Sequence, residues 1–422
     1  MTSTLVEPRI PARVRPLAPR RNVLANVVPP ALRTPEAAAA AVFAAIRQRG
    51  PVARDSIATR TGLSIATVNR QVTALLDAKL LRERPDLATA GAIGRPRIPV
   101  EINHEPYLTL GVHIGARTTS IVASDLFGRA LDAVETPTPG GSQTAALASL
   151  ADSARKYLGR WHRRRPLWLG VAIGGVVDSI SGHVDHSRLG WSQTPVGPVL
   201  ASALGLPVSV ASNVDAMAGA ELLLGRQERR GSGLYVYARE TVGFALVIDG
   251  RVHSPTSGPG TVAGLPVQSE LLGGSGQLES TVSDEAVVAA ARRSGILPAG
   301  GPNSTIGALL RLARQDGSDG ARELLAERAR VLGGAVALMR DMLNPDDLVV
   351  GGQAFTDYPE GMDRLRSSFA ERSLLAPREI RVSAFGNRVQ EAGAGAVSLS
   401  SIYADPLAAL RRARQTAERR AV

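Results

Sequence analysis

The stretch that most constrains the fold is residues 52–81, V-A-R-D-S-I-A-T-R-T-G-L-S-I-A-T-V-N-R-Q-V-T-A-L-L-D-A-K-L-L. Its apolar residues Ile57, Leu63, Ile65, Val68, Val72, Leu75 and Leu76 recur at spacings of three and four, which puts them on one helical face. Thr61-Gly62-Leu63 interrupts the pattern, so the stretch reads as two short amphipathic helices joined by a turn. A helix-turn-helix follows. Ser64 is placed to cap the second helix, its hydroxyl accepting from an early backbone N–H that has no partner within the helix. The exposed face then carries Ala66, Thr67, Asn69, Arg70 and Gln71, side chains able to reach base edges in a major groove. The competing reading is a helical hairpin in an ordinary core, because the two-helix pattern alone is degenerate.

The flanks favour the nucleic-acid reading. Upstream, Thr34-Pro35 and residues 36–49 read as a third helix, with Thr34 as N-cap, Pro35 in the first position and Gly50-Pro51 as the stop. Downstream, residues 80–84 and 97–102 read as two short strands around a loop holding Gly94-Arg95-Pro96-Arg97. This is the order of a winged helix. Arg95 and Arg97 at a loop tip suit a narrow minor groove, where the negative potential is strongest; the plainer reading is a solvated turn. Together with Arg54 they are expected to anchor backbone or minor groove, while Arg70 and Gln71 specify bases.

Charge is partitioned in the same sense. Residues 1–100 hold 16 Lys and Arg against 6 Asp and Glu, whereas the remaining 322 hold 33 against 32, so nearly all of the net +11 sits beside the helix-turn-helix. Such local basicity predicts DNA affinity that falls steeply with salt. Residues 1–33, rich in Pro and Arg, are expected to lack a fixed fold and to act at most as a basic arm. There is no cysteine, which excludes disulfides and thiolate metal sites. No run has signal-peptide or membrane-spanning character, so a soluble cytoplasmic protein is expected.

From Tyr107 the period changes. Residues 108–114 and 119–125 read as a hairpin, with a further strand after Leu126-Phe127-Gly128-Arg129 and a helix over 142–160. Residues 167–173 and 208–211 read as buried strands ending at Gly174-Gly175 and Ser212-Asn213. A second hairpin starts at Gly233, followed by helices at 284–296, 303–315 and 318–343 and strands at 348–350 and 380–384. Alternation of this kind describes an α/β fold, and two halves that each open with a strand-turn-strand suggest a duplicated architecture with a cleft between them.

A winged helix followed by Leu110-Gly111-Val112-His113-Ile114-Gly115, Gly174-Gly175-Val176-Val177-Asp178, Leu189-Gly190-Trp191, Gly205-Leu206-Pro207-Val208, Asn213-Val214-Asp215-Ala216-Met217-Ala218 and Gly273-Gly274-Ser275-Gly276-Gln277-Leu278-Glu279 resembles the ROK family of repressors, open reading frames and sugar kinases. The resemblance spans about residues 36 to 400. It implies a sugar-sensing type of transcriptional regulator: an N-terminal winged helix-turn-helix (34–103) and a two-lobed actin-like domain (104–422) for sensing and oligomerisation.

Against the family's kinases the resemblance implies losses. Their first phosphate hairpin opens Asp-x-Gly-x-Thr, because turn N–H groups and a Thr hydroxyl cradle phosphate oxygens. Here those positions hold His113, Gly115 and Arg117. The second turn, Gly-Thr-Gly-x-Gly, corresponds to Arg239-Glu240-Thr241-Val242-Gly243. The catalytic Asp corresponds to Asn213, whose amide has no titratable site near neutral pH, and the nearest carboxylate is Asp215, re-aimed by a two-residue shift. The zinc ligands correspond to Gly264, Glu270, Leu272 and Gln277, so no metal and no cofactor are expected and packing must hold that loop. Arg188, Asn213, Asp215 and Glu279 remain to line a cleft, which either takes a ligand, anionic on account of Arg188, or is a polar remnant that holds loops. His183, Asp185 and His186 read as a solvated turn; the charge run at 159–166 complements a helix carboxyl end; the Arg-rich helix from Pro406 either packs back or reaches DNA.

The reading is a DNA-binding regulator, taken as a repressor, with an inactive kinase-like domain, acting as a homodimer or homotetramer on a pseudo-palindromic duplex. The alternatives are a sugar kinase with an appended DNA-binding module and a ligand-independent architectural protein.

Overall fold

The computed structural model describes residues 26–87, 98–225, 231–255, 258–376 and 378–421. The wing tip with Arg95 and Arg97, and the first 25 residues of the expected arm, lie outside them.

The N-terminal module is three helices, α1 (Ala38–Arg49), α2 (Arg54–Thr61) and α3 (Ile65–Asp77), and an antiparallel pair, β1 (Leu81–Glu83) and β2 (Val100–Ile102). Gly62 ends α2 in the left-handed region at φ 68°, a conformation glycine adopts without a Cβ penalty. Ser64 then caps α3, accepting from Thr67 N at 3.2 Å. Val42, Phe43, Ile46, Ile57, Val68, Val72 and Leu75 bury the apolar faces against one another. Two expectations fail. Thr34 caps nothing: α1 starts at Ala38 with Ala37 as N-cap and no side-chain cap bond. Ile65, expected in the core, is 50% exposed, because the first turn of α3 projects past the three-helix core.

Behind this module stand two five-stranded sheets of identical strand order. The first lobe contains β3 (Tyr107–Ile114), β4 (Thr118–Ser124), β5 (Ala130–Pro137), β6 (Arg165–Ile173) and β10 (Val208–Ser212), ordered β10-β6-β3-β4-β5. Between β6 and β10 lie a small sheet of β7 (Val176–Asp178), β8 (His183–His186) and β9 (Trp191–Thr194), and helix α5 (Val196–Leu204); helix α4 (Gln143–Gly159), capped by Ser142, crosses from β5 to β6. Helix α6 (Asn213–Leu224) leads to the second lobe. There β11 (Gly233–Ala238), β12 (Val242–Ile248), β13 (Arg251–Val252), β14 (Asp347–Gly351) and β15 (Arg381–Val382) are ordered β13-β12-β11-β14-β15. Each sheet therefore has two antiparallel strands on one side of its first strand and two parallel strands on the other.

The second lobe's outer face is covered by α7 (Leu278–Val282), α8 (Asp284–Arg293), α9 (Ile306–Arg314), α10 (Asp319–Leu343), α11 (Gln353–Thr356) and α12 (Met362–Arg372). The chain then returns to the first lobe as α13 (Val389–Ala404) and α14 (Pro406–Ala421). Helix α13 was not legible as a separate element, and from Gly393 to Ser400 every residue is buried. It lies so close to the sheet that a Cβ on Gly111 would meet Ala394 C at 2.7 Å, and one on Gly170 would meet Ala394 O at 2.7 Å. Helix α14 packs back: Leu410 and Ala413 are buried and Arg414 reaches the Ala78 carbonyl. No described helix is long and apolar enough to cross a membrane.

Residues 26–33, expected to lack a fixed fold, are instead a strap across both lobes. Val28 N donates to Val208 O at 2.8 Å and Val208 N to Asn26 O at 2.9 Å in the first lobe; Val252 N donates to Leu32 O at 2.9 Å and Thr34 N to Gly250 O at 2.8 Å in the second. Leu32 is buried against Gly219. Composition predicted disorder there because the segment has no period. Its order comes from backbone partners distant in the chain, which satisfy N–H and C=O groups as a sheet would.

Candidate functional site

The exposed face of α3 is set by its phase. Ala66, Asn69, Arg70 and Thr73 are exposed and lie at spacings of three and four, while Thr67 and Gln71 are half-buried at its edges. Thr73 extends the face by a turn and was missed, although its spacing from Asn69 and Arg70 was visible. Ser64 and Thr67 are engaged with each other, hydroxyl to hydroxyl at 3.0 Å, which fixes the start of the helix. Arg70 makes no ion pair among the described residues; Arg54 does, reaching Glu83 at 3.4 Å across to the wing strand. The helix start thus has a satisfied cap, and a guanidinium without an ion pair among the described residues stands exposed on the turn that follows.

The second region is the junction between the lobes, where the sequence leads one to expect a cleft. The two hairpin turns that would face phosphate, after β3 and after β11, oppose one another, and charged side chains join them. Arg117 lies 2.8 Å from Glu285 and 3.8 Å from Glu240. Arg188 lies 3.7 Å from both Glu279 and Glu285 and donates to the Glu240 carbonyl at 3.2 Å. Arg188 and Glu279 are thus brought together as expected, but against each other. Glu279 also accepts from Val242 N at 3.0 Å. Arg239, which opens the second turn, donates to Gln390 at 2.8 Å.

Behind this rim sit two buried polar atoms without partners, Asn213 Oδ1 and His113 Nε2. His113 is 3% exposed, and burial, helped by the Arg239 charge, lowers its pKa to about 3, so the imidazole is neutral. Asp215 does not join them. Ser212 caps α6 through Asp215 N, and the Asp215 carboxylate turns to Ser254, whose hydroxyl donates to it at 2.9 Å. Burial raises this carboxyl to about 6.

A model of the ROK family matches residues 109–401, and one of the DprA winged helix domain matches residues 28–76. The chain is 67% identical over 414 residues to a transcriptional regulator of Mycobacterium tuberculosis, covering 96% of this chain and 93% of the relative. The chain belongs to the ROK family. Within that family it is 23% identical over 329 residues to the Escherichia coli DNA-binding transcriptional dual regulator NagC, covering 74% of this chain and 80% of the relative. Two solved ROK structures have the same fold. One is a transcriptional regulator homologous to E. coli Mlc, with a TM-score of 0.71 and 23% identity over 90% of this chain and 98% of the other. The other is the Streptomyces griseus glucokinase bound to glucose and AMPPNP, with a TM-score of 0.60 and 21% identity over 69% and 99%. The lobes are therefore those of the actin-like fold.

The remaining ROK motif positions are held by packing. In the loop where the family's zinc site falls, Leu272 is buried in the second lobe's core, Val267 N donates to Gly276 O at 2.9 Å, and Arg293 donates to the Leu272 carbonyl at 2.6 Å. His183, Asp185 and His186 are not a solvated turn but strand β8: Asp185 accepts from Gln193 N at 2.7 Å, and His186 Nδ1 accepts from Leu189 N at 3.3 Å. Pairing with β7 and β9 overrides the turn signal of Ser181-Gly182. In the charge run, Arg164 donates to the His104 and Tyr107 carbonyls, which stitches the end of α4 to the start of β3.

Proposed function

We propose that this ROK chain is a DNA-binding transcriptional regulator acting as a repressor, that α3 reads the operator, and that the interlobe cleft senses a small molecule without phosphorylating it. The observation that carries the reading is the α3 face, where Asn69 and Arg70 stand exposed beside a satisfied cap on the most basic part of the chain. The Mycobacterium tuberculosis relative, named a transcriptional regulator, supports it over nearly the whole length. A single reading helix covers too few base pairs for useful specificity, so a two-fold dimer is part of the proposal. The surface that supports self-association is apolar: Leu338, Met342, Leu343 and Leu374 are exposed on and beside α10.

Absence of kinase chemistry rests on Asn213 at the position of the base and on a second turn whose Arg239 and Glu240 are bonded to protein groups. A ligand that takes Arg188 from Glu279 and Glu285 would be anionic, which favours a sugar phosphate or sugar acid over a neutral sugar. The test has three arms. Genome-wide mapping of bound sites should yield a short pseudo-palindrome, and purified protein should bind that duplex with affinity that falls steeply with salt. Calorimetry with neutral sugars, sugar phosphates and sugar acids should give heat only with the anions. A coupled ATP assay over a sugar panel should show no turnover; turnover lost on Asp215→Asn would replace this reading with that of a kinase carrying a DNA-binding module.

A further inference from the structure

The lobes share a buried core and polar contacts such as Ser383 and Ala384 with Glu221, and two further sets of contacts that cross between them lie at its edges. At the exposed rim of the cleft, Arg117 and Arg188 of the first lobe meet Glu240, Glu279 and Glu285 of the second. Elsewhere the strap, residues 26–34, pairs at one end with Val208 of β10 and at the other with Gly250 and Val252 of the second lobe. Its middle is Pro29-Pro30, and adjacent prolines hold an extended chain that cannot shorten by coiling.

The strap runs directly into the reader. Glu36, just before α1, lies 3.4 Å from Arg251 of β13, so the start of α1 is tied to the second lobe. The far end of α1 is tied to the first: Arg47 donates to the Leu223 carbonyl at 3.0 Å and sits 4.2 Å from the centre of the Tyr403 ring. Helix α1 is thus held at its two ends by two bodies, and α3 packs on α1 within the same core. A change in the angle between the lobes must turn α1, and α3 with it.

We propose that the rim ion pairs set the angle between the lobes and that the Pro29-Pro30 strap transmits that angle to the DNA-reading helix. This rests on the reading of α3 as the operator helix. The rim pairs are partly exposed and individually weak, so the angle is adjustable by a ligand that competes for them. With the rim intact the two readers of a dimer are held in one orientation. Without it they sample several, and binding loses that preorganisation.

The experiment is fluorescence anisotropy with a labelled operator duplex, using full-length wild type, Arg117→Ala/Arg188→Ala, Pro29→Gly/Pro30→Gly and the combination, each first checked for a wild-type-like thermal transition. The rim variant should weaken operator binding about five-fold or more, within the range of allosteric couplings, with an unchanged dependence of log affinity on log salt because neither arginine neutralises a phosphate. In the glycine strap background the rim change should have less than about a two-fold effect, since the signal no longer reaches α1. Should the rim variant fail to fold, Glu285→Ala removes the acceptor that both arginines share and carries the same expectation. Unchanged or tighter operator binding by the rim variant overturns the coupling, as does an equal loss with and without the prolines. Wild type that ignores duplex DNA at low salt would instead remove the reading on which the coupling rests.

Discussion

Arg47 and Tyr403 are 356 positions apart in the chain, yet the guanidinium lies 4.2 Å from the centre of the ring and goes on to donate to the Leu223 carbonyl at 3.0 Å. The contact joins the N-terminal winged-helix module to the first lobe, and Phe43 adds its ring at 6.3 Å from that of Tyr403. Arg47→Ala should lower the stability of this junction by about 2 kcal/mol, from a desolvated cation–π contact and a charged hydrogen bond. Hydrogen exchange should speed up in α1 to α3 before it does in the lobes, and uniform exchange would show that the junction is held without Arg47.

Arg70 has no ion pair among the described residues to compensate for removal. Arg70→Ala should cost about 1–3 kcal/mol of operator binding and relax base preference at one position of each half-site, leaving the protein's melting temperature unchanged. Selection from randomised duplexes before and after the change reads this directly; identical logos would move the recognition face elsewhere.

A Cβ on Gly170 would lie 2.7 Å from both the Ala394 carbonyl oxygen and the Ser398 Cα, all backbone atoms that cannot rotate away. Gly170→Ala should therefore push α13 off the sheet and cost about 3 kcal/mol, at the high end for overpacking. Urea unfolding measures it, and a loss below about 1 kcal/mol would mean that the helix yields readily.

Burial raises the Asp215 carboxyl from its ordinary 3.8 to about 6. The folded protein therefore keeps a proton that the unfolded chain releases between those values, and the group's contribution to stability falls as pH rises through that window. The cost is fully present above about pH 6. Asp215→Asn keeps an acceptor for Ser254 and should be more stable than wild type at pH 7 by about 1–3 kcal/mol, the gap closing toward pH 4. A gap that does not change with pH would show that the carboxyl titrates normally.

Leu374 is 93% exposed and Met342 73%, close to Leu338 on the α10 surface. Leu374→Glu with Met342→Glu should leave folding intact and shift the particle mass to that of a monomer by light scattering, with a loss of operator affinity of about ten-fold or more as the second half-site is lost. A dimer that persists would place self-association on another face.

What the sequence determined by itself was everything carried by local spacing. The helix-turn-helix came from apolar residues three and four apart with Gly62 between them, and both sheets announced themselves as strand-turn-strand openings at residues 108–125 and 234–248. Period is enforced by backbone geometry within a few residues, so it is written locally. The positions of Arg188, Asn213 and Glu279 were legible as motif positions, but not what they touch. Tertiary structure alone decided that Arg188 meets Glu279 and Glu285 across the cleft, that Asp215 turns to Ser254, and that residues 26–34 brace both lobes. It also decided that α13 is buried without a break from Gly393 to Ser400, which leaves that stretch no exposed face and therefore little amphipathic signal. Each of these depends on partners tens to hundreds of residues away, and their energy is gained only when folding brings distant segments together.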